Sequence, residues 1–417
     1  MLLKVHHTAS HCNGDIQITG SKSETNRLLI LQALFDGVTL KNVSNSDDAQ
    51  VMQKALSSSD EVVDIHHAGT AMRFLTAYFS IQEGRDTLLT GSARMQERPM
   101  AILVEALQEL GAQITFTHNE GYPPLQIKGQ ALQRDEVTLK ANVSSQYISA
   151  LMMMGAKLDN GLTVHLDGKI TSVPYINMTL ALLHQLDIEA TFEGQKIVIK
   201  PGRTSAVARE ITVESDWSSA SYFYSIVALS RKRNFNTPHT ITIASYKESS
   251  LQGDAALREI YKQLGVVSSF AGDKLTISLN QDFELPETIT LDLANSPDIA
   301  QTIAVSCLGL GVGCHLTGLH TLKIKETDRL EALREEIAKL GGSIMVTDQD
   351  LTLLPQKAAV NENITIATYH DHRMAMAFAP LALQVPLLIE DAGVVSKSYP
   401  DFWTDLEVLG FGQEIIG

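Results

Sequence analysis

The chain is organised around one stretch, Gly20-Ser21-Lys22-Ser23-Glu24-Thr25-Asn26-Arg27. It follows a short segment in which polar and apolar residues alternate, and it precedes the apolar run 28–35. This order is typical of a strand, a turn and a helix. Ser23 is suited to the N-cap of that helix, whose start carries free N–H groups and partial positive charge. Lys22 and Arg27 add two cations there, which is unfavourable unless an anion binds or both side chains point into solvent. On these residues alone both interpretations stay open.

A nucleotide-binding P-loop is excluded for this stretch. That motif needs Gly directly before Lys, with a second Gly five positions earlier. Here Ser21 stands between Gly20 and Lys22, so the motif does not match.

Bulk composition indicates a globular protein of two or more domains. The chain has 417 residues, of which 44% are hydrophobic and 19% charged. Its net charge of −15 argues against general nucleic-acid binding, so clustered cations must serve a specific anion. Residues 1–7 lack the apolar region typical of a signal peptide, and no apolar run reaches membrane-spanning length. We therefore expect a cytoplasmic protein with no nucleic-acid or membrane partner.

The three cysteines are Cys12, Cys307 and Cys314, and they show neither CxxC nor Cys/His metal spacing. We expect them to be buried as small apolar residues in a reducing compartment. No metal and no cofactor are predicted.

One local pattern recurs along the chain. It is an apolar helix ending in Leu-Gly or a variant, followed by a strand, a turn and often a second strand. Glycine just past the last apolar residue predicts a left-handed helix C-cap. The copies are 106–114, 260–266 and 337–344, with weaker ones at 182–188 and 406–410.

Between these copies lies a second kind of helix, rich in small and apolar residues and introduced by a polar cluster. The six clusters are Lys22-Ser23, Ala68-Gly69-Thr70, Val143-Ser144-Ser145-Gln146, Asp216-Trp217-Ser218-Ser219, Pro297-Asp298 and Asp371-His372-Arg373. The combined βαβαββ unit recurs about six times at spacings of roughly 50–80 residues, which suggests two domains of three units. The best boundary candidate is 211–215.

A second cationic cluster occupies 323–330, which we expect to open another helix. There Lys325 and Arg329 are four residues apart and share a helix face. They can form an anion clamp beside Glu326 as a proton-transfer group. Alternatively, Glu326 and Asp328 only stabilise the first helical turn. Taken alone, these residues favour the second interpretation.

Ten motifs in a fixed order resemble those of the enolpyruvyl transferases, in the branch that uses shikimate 3-phosphate. The resemblance covers almost the full chain, and the ordered set is far more specific than any single motif. The motifs are GSKSETNR from Gly20, AGTAMRFL from Ala68, ERPM from Glu97, SSQY from Ser144, SVPYI from Ser172, DWSSASYF from Asp216, SPDIA from Ser296, KETDRL from Lys325, DHRMAM from Asp371 and KSYPDF from Lys397.

This resemblance implies an α/β protein of two domains, each built from three βαβαββ repeats with pseudo-threefold symmetry. The active site would lie in the interdomain cleft. One domain would span 21–214, and the second would be discontinuous, comprising 1–20 and 215–417. The repeat pattern by itself does not indicate that the first 20 residues join the second half.

The implied reaction joins the 5-hydroxyl of shikimate 3-phosphate to C2 of phosphoenolpyruvate, with protonation at C3. The tetrahedral intermediate then loses phosphate. Asp298 would be the base toward the hydroxyl, Glu326 would move the proton at C3, and Lys22 would lie close to both substrates. We expect a monomer whose only partners are these two small molecules.

The resemblance also implies two sets of binding residues. Those for shikimate 3-phosphate would be Lys22, Ser23, Arg27, Ser144, Ser145, Gln146, Ser172, Tyr175, Asp298 and Lys325. Those for phosphoenolpyruvate would be Lys22, Gly69, Arg98, Gln146, Arg329, Arg373 and Lys397, with His372 as a supporting polar group.

Two residues depart from the family pattern. His67 stands where the family commonly has Asn, and Phe74 replaces a usual Pro. The region 48–69 is also short. We expect these differences to reshape the phosphoenolpyruvate side of the site, and they leave sensitivity to glyphosate, a competitor of phosphoenolpyruvate, open.

Two alternatives were weighed. The sister branch that uses UDP-N-acetylglucosamine typically presents a Cys in a mobile loop, whereas the matching region 92–98 has none. A non-catalytic anion-binding relative would have no requirement for both Asp298 and Glu326. Both alternatives are therefore disfavoured.

Overall fold

The computed structural model describes residues 1–140, 144–168, 170, 173–202, 208–233, 235 and 239–416. The chain forms two compact units. The N-terminal unit is Gly20–Val213, and the C-terminal unit combines Met1–Thr19 with Glu214–Gly417. In the described ranges, every helix is too short or too polar to cross a bilayer.

Strands and helices alternate along both units. The strands are β1 Leu3–His7, β2 Gly14–Ile16, β3 Val38–Lys41, β4 Val62–Asp64, β5 Asp86–Thr90, β6 Gln113–Phe116, β7 Leu125–Lys128, β8 Glu136–Lys140, β9 Leu162–Asp167, β10 Ala190–Glu193, β11 Lys196–Ile199, β12 Arg209–Thr212, β13 Thr240–Ile243, β14 Val266–Ala271, β15 Lys274–Leu279, β16 Thr288–Asp292, β17 Gly313–Thr317, β18 Ile344–Val346, β19 Leu351–Leu353, β20 Ile364–Ile366, β21 Leu387–Ile389 and β22 Phe411–Ile415. The helices are α1 Lys22–Leu34, α2 Asp47–Ser57, α3 Gly69–Ser80, α4 Ala101–Glu109, α5 Ser145–Gly155, α6 Val173–Gln185, α7 Trp217–Leu229, α8 Leu257–Lys262, α9 Ala300–Leu310, α10 Arg329–Lys339, α11 His372–Phe378 and α12 Phe402–Val408.

Five four-stranded sheets repeat one topology. Their strand orders are β4-β5-β7-β6, β8-β9-β11-β10, β2-β13-β15-β14, β16-β17-β19-β18 and β20-β21-β1-β22. In each sheet the first two strands are parallel, and the third and fourth continue antiparallel. A sixth sheet pairs β3 with β12 in parallel and has two strands within the described residues. The predicted α/β class with βαβαββ repeats is confirmed.

The helices within the described residues fall into two classes. The helices introduced by polar clusters are buried almost all round, and every residue of α7 and α9 is buried. Within the N-terminal unit α1, α3 and α5 pack against one another, and within the C-terminal unit α9 packs against α7 and α11. The other class is amphipathic: α2, for example, buries Ala49, Met52 and Ala55 and exposes its opposite face.

Residues with a left-handed backbone conformation end the amphipathic helices at the positions that the sequence predicted. The backbone φ is positive at Gly111, Asp187, Gly265, Gly341 and Gly410, each just past the last apolar helical residue. A glycine there avoids the steric cost that a side chain meets in this conformation. The predicted C-caps, including the weaker copy with Asp187, are confirmed.

Two predicted helix starts were wrong. Helix α1 begins at Lys22 with Ser21 as its N-cap, so Ser23 lies in the first turn instead of capping it. Helix α10 begins at Arg329, because the Asp328 carboxylate caps it by accepting bonds from the N–H groups of residues 330 and 331, both at 3.2 Å. Lys325 and Glu326 therefore lie in the turn before that helix.

The three cysteines, Cys12, Cys307 and Cys314, are free and buried, as predicted. Burial raises the pKa of the Cys12 thiol to about 12. Such a thiol stays protonated near neutral pH and is a poor nucleophile.

Candidate functional site

A buried guanidinium organises the predicted site residues of the C-terminal unit. Arg329 is 2% exposed and donates from Nε to Asp371 Oδ2 at 2.6 Å, from Nη1 to Asp298 Oδ1 at 2.8 Å and from Nη2 to Glu326 Oε2 at 2.7 Å. Burial acts to lower the pKa of Arg329, but the three carboxylates outweigh it and raise that pKa above its ordinary value. Arg329 thus holds both predicted catalytic carboxylates on one planar group.

Asp298 is also bound by two further cations. Its Oδ1 lies 3.5 Å from Lys325 Nζ, and its Oδ2 accepts from Arg373 Nη2 at 3.3 Å. Arg373 Nη1 donates in addition to the Asp298 carbonyl at 3.2 Å. Burial acts to lower the pKa of Arg373, and Asp298 leads the groups that raise it well above its ordinary value.

Asp371 fixes the geometry of this cluster from the start of helix α11. Its side chain is fully buried and accepts from the Arg373 N–H at 2.9 Å while it binds Arg329. The sequence placed Asp371 in a polar cluster that introduces a helix but gave no indication that it pairs with Arg329. Three cations, Arg329, Arg373 and Lys325, thus contact three carboxylates in this cluster.

In the N-terminal unit, Lys22 and the α5 residues lie at helix starts. Lys22 Nζ is 3.7 Å from Asp48 Oδ2, with both side chains less than one quarter exposed. Ser144 caps α5 by accepting from the Gln146 N–H at 3.4 Å. Gln146 Nε2 then donates to Thr70 Oγ1 at 3.1 Å, which brings the starts of α5 and α3 together.

Arg27, predicted as a ligand of shikimate 3-phosphate, is deeply buried. It donates from Nε to Thr179 Oγ1 at 2.9 Å, from Nη2 to Ser149 Oγ at 2.9 Å and from Nη1 to the Ser23 carbonyl at 2.8 Å. Burial lowers the pKa of Arg27 to about 10. Sequence patterns missed Ser149 and Thr179, because hydroxyls inside apolar helices carry no distinctive spacing.

Two arginines converge on the start of helix α3. An ideal Cβ at Gly69 would lie 2.3 Å from Arg98 Nη1 and 2.7 Å from Arg73 Nη1. Arg73 Nη1 donates to the Gly69 carbonyl at 2.8 Å. Burial, followed by the nearby charge of Arg98, lowers the pKa of Arg73 to about 10. Two close cations at a helix N-terminus create a local positive potential suited to an anion.

The remaining predicted residues occupy varied surroundings. Lys397 Nζ donates to the His370 carbonyl at 2.8 Å, and His372 is buried beside Asp371. The ring of Tyr175 lies 5.5 Å from the Arg27 guanidinium carbon. Ser145 is buried in the first turn of α5, whereas Ser172 lies outside the described residues.

The two residues that depart from the family pattern lie in different environments. His67 is exposed, and its Nδ1 is 2.7 Å from Ser92 Oγ. Phe74 is 1% exposed, with its ring centroid 5.3 Å from the guanidinium carbon of Arg27.

Comparison with known proteins identifies the family. The chain matches the family model described as EPSP synthase (3-phosphoshikimate 1-carboxyvinyltransferase) over residues 52–406. It is 47% identical over 411 residues to the 3-phosphoshikimate 1-carboxyvinyltransferase of Bacteroides fragilis (strain YCH46), with 97% of each chain covered. A relative of the same name from Marinomonas sp. (strain MWYL1) is 34% identical, with 94% of this chain and 96% of the relative covered.

Solved structures share the fold. EPSP synthase from Acinetobacter baumannii aligns with a TM-score of 0.79 at 21% identity, over 99% of this chain and 100% of that one. The enolpyruvyl transferase NikO from Streptomyces tendae aligns with a TM-score of 0.71 at 16% identity, over 99% and 98% of the two chains. The fold is thus that of the enolpyruvyl transferases. Within that class, the chain belongs to the EPSP synthase family, and the resemblance inferred from its motifs is confirmed.

Replacing Arg329 should be far more damaging than replacing an exposed arginine of the same helix. Arg329→Met leaves the fully buried Asp371 carboxylate without its cationic partner, which should cost about 3–5 kcal/mol of unfolding free energy. Arg334→Met removes a half-exposed pair with Glu331 and should cost less than about 1 kcal/mol. Urea denaturation of both variants measures the difference. Equal losses would contradict the structural importance of Arg329.

A second prediction concerns the pH dependence of stability. Burial, aided by the Asp298 carboxylate, raises the pKa of Asp254 to about 7, whereas an unfolded Asp titrates near 4. The folded state therefore binds this proton more tightly, and stability should fall as pH rises from about 4 through about 7. Asp254→Asn should remove part of that fall. The free energy of unfolding of the variant, relative to that of the wild type, should therefore be higher at pH 8 than at pH 4.

Urea denaturation of Asp254→Asn across that pH range measures the effect. The control is Asp282→Asn, at an exposed position in the same unit. The stability of this variant should change with pH as that of the wild type does. A pH-independent difference for Asp254→Asn would contradict a raised pKa at this carboxyl.

Proposed function

We propose that the protein transfers the enolpyruvyl group of phosphoenolpyruvate to the 5-hydroxyl of shikimate 3-phosphate. The products are 5-enolpyruvylshikimate 3-phosphate and phosphate, so the enzyme serves the shikimate pathway to chorismate and aromatic amino acids. The observation that carries this proposal is that Asp298 and Glu326 bind the same guanidinium, that of Arg329, in a chain of the EPSP synthase family. Such a pair fits a reaction with two proton transfers.

Asp298 acts as the base toward the 5-hydroxyl. Its carboxylate is 14% exposed and is oriented by Arg329, Arg373 and Lys325. As the hydroxyl proton moves to Asp298, the oxygen forms its bond to C2 of phosphoenolpyruvate. A fixed carboxylate at this position contributes through orientation as well as proton transfer.

Glu326 acts at the methylene carbon. Its side chain is 33% exposed, while one oxygen stays bonded to Arg329 Nη2. In the addition step Glu326 delivers a proton to C3, which turns the methylene into a methyl group. In the elimination step it takes a C3 proton back, the C2–C3 double bond re-forms and the C–O bond to phosphate breaks. The hydroxyl proton leaves with the phosphate.

Cations and helix starts bind the two anionic substrates in this proposal. Phosphoenolpyruvate is bound by Lys22, Arg373, Lys397 and Arg98, whose guanidinium lies at the start of α3. Arg27 and the helix start that carries Ser144 and Ser145 bind shikimate 3-phosphate. The further binding residues are Gly69 and Arg329 for phosphoenolpyruvate, Gln146 for both substrates, and Ser23, Ser172, Tyr175, Asp298 and Lys325 for shikimate 3-phosphate. We also propose that the enzyme is a cytoplasmic monomer.

The decisive assay follows phosphate release from phosphoenolpyruvate, which should require added shikimate 3-phosphate. UDP-N-acetylglucosamine in its place should give no release. Glu326→Gln should lower turnover by about 10²-fold or more, because it cannot move a proton in the transition state. Glu331→Gln, an exposed change in helix α10, is the matched control and should be near normal. Release that depends on the UDP-sugar would overturn the proposal.

Gly69→Ala tests the arginine pair at the start of α3. The added Cβ would lie 2.3 Å from Arg98 Nη1, so this flexible side chain must move. We expect the KM for phosphoenolpyruvate to rise with little change in the KM for shikimate 3-phosphate. The control is a double-mutant cycle with Arg98→Ala: if Gly69 serves only to admit Arg98, the two losses should be far from additive. Additive losses would assign Gly69 another role.

A further inference from the structure

The guanidinium of Arg27 lies over two aromatic rings, those of Phe74 and Tyr175. Its central carbon is 5.3 Å from the centroid of Phe74 and 5.5 Å from that of Tyr175. These distances are within the range of a cation–π interaction, which strengthens when the cation is desolvated. Arg27 is 2% exposed, so both rings act on a cation that has lost nearly all of its water.

Hydrogen bonds fix the same guanidinium in its plane. Three of its N–H groups donate to Ser149, Thr179 and the Ser23 carbonyl, and all three acceptors are neutral. Ser149 Oγ and Thr179 Oγ1 are also 2.9 Å apart, so the two hydroxyls support each other. Helices α1, α3, α5 and α6 therefore all contribute a group that touches this one side chain.

The rings and the hydrogen bonds stabilise the Arg27 guanidinium in different ways. The hydroxyl and carbonyl acceptors orient the N–H groups of the guanidinium but carry no formal negative charge. An aromatic ring face within about 6 Å adds electrostatic attraction to the positive charge. Of the two rings, that of Phe74 belongs to the buried helix α3 and is itself 1% exposed.

We propose that Phe74 is a positioning residue for Arg27, so that it sets the affinity for shikimate 3-phosphate and leaves that for phosphoenolpyruvate unchanged. This inference rests on the proposed function, in which Arg27 binds shikimate 3-phosphate. It also revises the expectation drawn from the family pattern, which placed the effect of Phe74 on the phosphoenolpyruvate side. Phe74 acts through its cation–π contact with Arg27.

The chain offers a matched control in the same helix. Phe79 is fully buried, and Arg85 stacks on its ring with the guanidinium carbon 4.4 Å from the centroid. Phe79→Leu therefore removes a ring and a cation–π contact from helix α3 but leaves Arg27 untouched. Phe74→Leu removes the ring at Arg27 with a similar loss of volume. Phe74→Tyr keeps the ring.

Steady-state kinetics of the three variants separate the outcomes. Phe74→Leu should raise the KM for shikimate 3-phosphate about tenfold, the effect of losing a desolvated cation–π contact, with the KM for phosphoenolpyruvate unchanged. Phe74→Tyr should restore the wild-type value, and Phe79→Leu should leave both KM values unchanged. A rise in the KM for phosphoenolpyruvate, or equal effects of Phe74→Leu and Phe79→Leu, would overturn the inference.

A second measurement does not depend on activity. The two nearby rings should shift the Arg27 Nε–H resonance by their ring currents in a protein labelled at arginine nitrogen. The shift should shrink in Phe74→Leu and persist in Phe74→Tyr. An unchanged resonance in Phe74→Leu would show that Phe74 does not hold Arg27, whether or not the enzyme uses shikimate 3-phosphate. Failure of the wild type in the phosphate assay would instead overturn the proposed function. Phe74→Met serves in place of Phe74→Leu if that protein does not fold.

Discussion

The pairing of Arg329 with three carboxylates is the interaction on which the C-terminal unit most depends. A buried guanidinium loses its hydration, and the loss is offset only when each charged partner is well placed. Asp371, Asp298 and Glu326 come from the start of α11, the turn before α9 and the turn before α10. One planar group thus fixes three segments.

The N-terminal unit holds its central arginine by other means. Arg27 has neutral hydrogen-bond acceptors and two aromatic rings, whereas Arg329 has carboxylates. The consequence is electrostatic: burial lowers the pKa of Arg27, while the carboxylates raise that of Arg329. Arg73 and Arg98, by contrast, lie close together at the start of α3, where they create a local positive potential. The chain, whose net charge is negative, thus has a local positive potential at the start of such a helix.

Much of the fold could be predicted from local sequence, because its repeats end in recognisable caps. Gly111, Gly265 and Gly341 mark helix ends, and polar clusters mark the starts of the buried helices. Long-range pairing could not be predicted in this way. Strand β1 lies between β21 and β22, close to four hundred residues away in sequence, and nothing in its five residues specifies those partners. The contact of Phe74 with Arg27 could not be predicted either, because an aromatic residue in an apolar helix is typical of a hydrophobic core.

The geometry around Arg329 also bears on the two proton transfers of the proposed reaction. In the proposed addition step Glu326 gives up a proton as Asp298 gains one, and both carboxylates bind the same guanidinium through Nη2 and Nη1. The total charge beside Arg329 is therefore the same before and after the addition. A buried site cannot readily absorb a change in net charge, because little water is present to solvate it. Placing donor and acceptor on one cation removes that cost, which is a reason to keep both carboxylates on Arg329 although either alone could satisfy it.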